Sequence, residues 1–164
     1  MALGRHRVFL PWGMFKRWLY RGGRPGPLAR LVNRRFAALH ASGRAPDHWV
    51  TLEVVGRRSG RKISFPLVMA VLDGERYLVS MLGRDVAWVR NVKAAAGHAV
   101  LLHGRVEPVR LDELAIEERA RVLKAYLQRA PGARPHIPVD KDAPLAEFET
   151  IAEQFPVFRV LAAG

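Results

Sequence analysis

Residues 51–67 read TLEVVGRRSGRKISFPL. Apolar and polar residues alternate up to Val55, the run Gly56-Arg57-Arg58-Ser59-Gly60-Arg61-Lys62 breaks the pattern, and alternation resumes at Ile63. Period-two patterning on both sides of a glycine-bounded break predicts two antiparallel strands joined by a turn. Glycines at both ends of the turn are expected to bend the backbone at positive φ, so that consecutive N–H groups point one way. Four cations and a hydroxyl around such a nest make an anion site, with phosphate the obvious guest. A solvated basic hairpin tip is the plainer alternative.

Working outward, residues 49–55 and 63–72 read as strands, and Asp73-Gly74 signals a two-residue hairpin into a strand over 76–82. Asp85 is placed to cap a helix carrying Trp88, Val89, Val92 and Ala96, with Gly97 as its stop. Residues 98–102 and 106–111 form another hairpin turning at His103-Gly104, and 112–129 has the periodicity of a helix. Four prolines make 131–144 a stiff loop, read either as a lid or as ordinary wrapping; a short helix over 145–154 and a strand over 156–161 follow. About six antiparallel strands with few helices predict a mainly β, α+β chain: a small barrel with its helices outside.

Upstream the period changes. Residues 8–20 put Trp12, Phe15 and Leu19 on one helical face, and 27–41 stripes Leu28, Leu31, Val32, Phe36 and Leu39 while Arg30, Arg34 and Arg35 fall off the stripe. Residues 1–44 are therefore expected to form a basic amphipathic helical arm, and 45–164 the barrel domain. The charge agrees. The net +12 resides in residues 1–62, which hold fourteen Lys and Arg against Asp47 and Glu53, whereas the remainder balances. This asymmetry suggests an anionic partner. Such an arm suits an anionic membrane surface, or packs on the body with a wet basic face. It lacks a recognisable nucleic-acid reader module, and no nucleic-acid partner is expected. With no cysteine, no apolar run near the ~20 residues of a spanning helix and no signal peptide, a cytoplasmic protein is expected, peripheral on the inner membrane face if the arm binds lipid.

Metal chemistry is not expected, because the six histidines show no ligand spacing and there is no thiol. Ser59 is not in a nucleophile elbow, and neither a dinucleotide fingerprint nor a Walker loop is present. What remains is a convergent set. The turn 56–62 supplies cations, 80–85 leaves a strand and opens a helix, and Trp88 and Asn91 lie three apart on one side of that helix. Trp88 is read either as a wall for a flat ring or as core, and Asn91 either as a ligand contact or as a brace.

The order G-R-R-S-G-x-x-x-x-x-P-L at 56–67, L-V-S at 78–80 and A-W-x-x-N-V at 87–92 resembles the deazaflavin-dependent nitroreductases and quinone reductases. The resemblance covers about 49–111 well and both ends loosely. It implies a split β-barrel that binds coenzyme F-420, a deazaflavin with a phospholactyl-polyglutamate tail, and that passes hydride to a quinone or nitro compound. By the same resemblance Arg57, Arg58, Ser59, Arg61 and Lys62 grip the tail, Pro66 lines the ring pocket, Ser80 lies near the reactive end of the ring, and Trp88 and Asn91 hold ring and tail. Ile63 stands where the family often has arginine, and the cation after Ser80 moves to Arg84. Ser80, Tyr126 or water is the candidate proton source. FMN is the alternative cofactor, and the expected state is a monomer. From another class, the same barrel would serve as a non-catalytic binder of a fatty acid, haem or flavin.

Overall fold

The computed structural model describes Ala38 and residues 46–164, so the arm expected over 1–44 lies outside the described residues apart from Ala38. The strands are β1 (Trp49–Val55), β2 (Lys62–Leu72), β3 (Glu75–Val79), β4 (His98–Leu102), β5 (Val106–Glu113) and β6 (Val157–Ala162). The helices are α1 (Ala87–Ala94), α2 (Ile116–Arg129) and α3 (Leu145–Ile151). All strand pairs are antiparallel, and they close into a barrel in the order β1-β2-β3-β6-β5-β4. Alternation sorts the side chains. Val50, Leu52 and Val54 of β1 point inward with Phe65, Met69, Leu78, Leu101, Val109, Leu111 and Phe158, and α1 adds Trp88, Val89 and Val92 to this core.

A second core lies on the outer face. There α2 and α3 set Leu123, Tyr126, Leu127 and Phe148 against Ala70 of β2, Tyr77 and Val79 of β3 and Val157 of β6. The helices are thus divided in role: α2 and α3 cover the barrel wall as expected, whereas α1, joining the end of β3 to the start of β4, packs into the interior core.

The Asp73-Gly74 hairpin forms as read, with both residues at positive φ (52° and 79°), as a two-residue turn of this hand requires. Element ends shift by a few residues, and three differences have a visible cause. β3 stops at Val79 because the chain turns after Ser80, whose carbonyl accepts from Gly83 N–H at 3.2 Å. Asp85 does not cap α1: Val86 occupies the cap position with no side-chain bond, and the Asp85 carboxylate accepts from Arg90 instead. Residues 112 and 113 belong to β5 rather than to a helix, since Asp112 pairs with Arg159 and Glu113 with Phe158 as β6 completes the ring.

Candidate functional site

The β1–β2 turn takes its shape from internal bonds. Gly56 N–H donates to Arg61 O at 2.8 Å, and Gly60 N–H donates to Gly56 O at 2.9 Å. Arg61 N–H reaches Ser59 Oγ at 3.3 Å, and Arg57 N–H reaches Asn91 Oδ1, also at 3.3 Å. The anion nest expected from the glycines is therefore largely consumed by the turn's own fold. Only Gly60 has positive φ (65°). Gly56 is needed for space, because a Cβ there would lie 2.7 Å from both Ile63 Cδ1 and Ser59 Oγ. What the turn offers outward is side-chain charge. Arg57, Arg58, Arg61 and Lys62 are exposed, and Lys62 is held 3.1 Å from Glu53 across the β1–β2 ladder. Neither Arg58 nor Arg61 makes an ion pair among the described residues.

One side chain ties this turn to the body. Asn91, 2% exposed on α1, accepts at Oδ1 from both the backbone N–H and, at 2.9 Å, the Nη1 of Arg57. Three residues earlier Trp88 is buried in the barrel core, its ring centroid 5.3 Å from that of Phe158. Packed there, Trp88 fixes α1 against the barrel core. The pair Trp88 and Asn91 thereby anchors the cationic turn to the interior.

The other expected site residues are distributed around this anchor. Pro66 pairs with Thr51 at the centre of the β1–β2 ladder, on the parity opposite to inward-facing Phe65. Ser80 is 1% exposed and donates through Oγ to Gly83 O at 2.5 Å. Arg84 is exposed and lies 3.7 Å from the Glu153 carboxylate. Tyr126 belongs to the outer core under α2, separate from the interior core that holds Trp88, and burial pushes its phenol pKa up. The structure therefore brings Arg57 and Asn91 into contact, sets Arg58, Ser59, Arg61 and Lys62 on the same turn, and leaves Tyr126 in a different cluster. The Arg57–Asn91 contact spans 34 residues, and no local pattern in the sequence announces it.

Among the described residues no group of three His, Asp or Glu is placed to hold a metal ion, and no helix is long and apolar enough to cross a membrane. The donor set fits the phosphate and carboxylates of a deazaflavin tail: exposed guanidinium and ammonium groups on a turn fixed from below.

The chain resembles a solved chain described as a domain-swapped dimer, with 24% identity, 82% of this chain and 99% of that one covered, and a TM-score of 0.50. It also resembles Atu2129 of Agrobacterium tumefaciens str. C58, of unknown function, with 14% identity, 82% and 55% covered, and a TM-score of 0.54. These two likenesses are of fold. A solved F420-H2 dependent reductase, FDR-A, is 28% identical over 69% of this chain and 93% of its own, with a TM-score of 0.44. No curated protein matches the chain. A family model described as F420H(2)-dependent quinone reductase matches residues 29–145, a span that takes in the basic turn, Pro66, Ser80, Trp88 and Asn91. The chain belongs to this family of split-barrel oxidoreductases, and its cofactor is coenzyme F-420.

Proposed function

We propose that the protein reduces a quinone with reduced coenzyme F-420, and that Arg57, Arg58, Arg61 and Lys62 hold the coenzyme's tail. The observation that carries this is the family match over 29–145, which contains the cationic turn and the α1 anchor together. When bound, the coenzyme supplies a hydride, and a quinone that takes the hydride and a proton becomes a quinol.

The protein's own part is placement. A tail carrying several negative charges is attracted by the turn cations, with the guanidinium forks suited to bidentate contact with carboxylate or phosphate. Ser59 adds a hydroxyl on the same turn. Pro66 on β2 and the segment from Ser80 to Arg84 flank the ring in this reading, while Trp88 acts from below by holding α1. The proton is assigned to water, because the Ser80 hydroxyl is committed to Gly83 O and the Tyr126 hydroxyl lies in the outer core. Residues 1–44, rich in arginine and aromatic groups, are assigned to an anionic membrane surface, where a hydrophobic quinone would be met. The protein is proposed to act as a monomer.

The test is a fluorescence-quenching titration of oxidised coenzyme F-420 against the wild type and Arg57→Ala/Arg58→Ala, with FMN in parallel. Micromolar or tighter binding of the deazaflavin, weakened at least roughly tenfold in the double variant, supports the reading. Equal affinity in both proteins removes the tail site. A preference for FMN replaces the cofactor. Turnover with a soluble quinone, followed by reappearance of the oxidised coenzyme, tests the acceptor. Liposome sedimentation with and without residues 1–44 tests the arm, and light scattering tests the monomer.

A further inference from the structure

In the bond between Asn91 and Arg57 the acceptor is a neutral side chain, whereas the side-chain acceptors of Arg76, Arg90, Arg110, Arg119 and Arg121 are carboxylates. Arg90, the neighbour of Asn91 on α1, is paired with Asp85 at 2.9 Å. Arg76 is paired with Glu107 at 2.7 Å and Arg121 with Asp73 at 3.0 Å. In each of these the guanidinium charge is cancelled where it stands. Arg57 is instead fixed at two points, main chain and Nη1, by an amide oxygen that carries no formal charge. A carboxylate at that place would hold the turn more strongly, since charge-assisted hydrogen bonds are roughly twice as strong as neutral ones. Asn91 is nearly inaccessible, and its Oδ1 is occupied by Arg57, so this oxygen is committed to the protein and not to a ligand.

We infer that Asn91 is a positioning residue that orients Arg57 toward a phosphate or carboxylate of the tail while leaving its positive charge uncompensated. This rests on the proposed coenzyme reading, and it assigns Asn91 an action through Arg57 in place of direct contact with the ring or tail. A guanidinium carries five N–H donors, so one spent on Asn91 leaves the fork able to meet an anion. Fixing the fork beforehand lowers the ordering cost that a free arginine would meet on binding.

Two variants separate geometry from charge. Asn91→Asp keeps the acceptor and cancels the charge; Asn91→Ala keeps the charge and releases the fork. Each is compared with the wild type by melting temperature, by coenzyme F-420 titration at low and high salt, and by calorimetric titration with inorganic pyrophosphate. Asn91→Asp is expected to melt at or above the wild-type temperature yet bind the coenzyme roughly three- to tenfold more weakly, the scale of one partly solvated charge contact. Its salt dependence becomes shallower, and pyrophosphate affinity falls in parallel. Asn91→Ala is expected to bind weakly with the wild-type salt dependence. A merely structural brace predicts the opposite: Asn91→Asp unchanged in affinity and salt slope.

That result overturns the inference and leaves the coenzyme reading standing. If Asn91→Asp does not fold, Asn91→Ala decides, because wild-type affinity in a folded Asn91→Ala protein also overturns it. A wild type that binds pyrophosphate in an Asn91-dependent way but not the coenzyme keeps the oriented cation and removes the deazaflavin. A wild type that binds neither removes both.

Discussion

At the scale of single residues, the turn after β1 has two glycines with different duties, and substitution distinguishes them. Gly60 has φ of 65° and open space around its Cα, so only backbone conformation limits what can stand there. Gly60→Ala is expected to cost about 1 kcal/mol by denaturant unfolding, and Gly60→Asn less, because asparagine tolerates the left-handed region better. Gly56→Ala meets Ile63 Cδ1 and Ser59 Oγ, both ends of side chains that can turn aside. Its expected effect is a reshaped turn, seen as weaker coenzyme binding, with a stability loss of about 1 kcal/mol. Composition and spacing pointed to the cations of this turn. That Arg57 is the one tied to α1 was not legible, because the tie depends on how α1 docks across the barrel end.

At the scale of elements, the two cores give separable outcomes. Phe158 on β6 packs against Trp88, and Leu123 on α2 is fully buried in the outer core. Phe158→Ala is expected to cost about 3–5 kcal/mol and Leu123→Ala about 2–5 kcal/mol. Only the first disturbs the seat of α1. Coenzyme affinity, measured below the unfolding transition, is therefore expected to fall in Phe158→Ala and to persist in Leu123→Ala. The strand order was readable wherever alternation met a turn signal, as at Asp73-Gly74, and the hairpin turning at His103-Gly104 was equally plain. The start of α2 was not. Asp112 and Glu113 fit a helical first turn as well as a strand end, and only β6, more than forty residues later, settles them by pairing. Asp85 misled for a related reason. Its acidic side chain suits a cap, yet Arg90 is near enough to claim it.

At the scale of the whole molecule, the barrel end opposite α1 is fastened by charge. Arg76 and Glu107, on inward-facing parities of β3 and β5, form two bonds at 2.8 and 2.7 Å, and His103 Nε2 lies 2.7 Å from the same carboxylate. The Arg76 guanidinium, aided by His103, holds the Glu107 carboxyl at about 2, well below its ordinary 4.5. A carboxyl depressed in the folded state binds fewer protons there than when unfolded. Its stabilisation is thus complete above about 4.5 and is lost as pH falls toward about 2. Glu107→Gln is expected to flatten the fall in melting temperature across that interval, and Arg76→Met to cost about 1–2 kcal/mol at neutral pH. The order of the staves has one more consequence. β6 follows every other described strand in sequence, yet it stands between β3 and β5 in the ring. During synthesis the sheet accordingly waits, ajar along one seam, until its latest segment leaves the ribosome. Such a chain should mature slowly and rely on protection of that seam while it is being made.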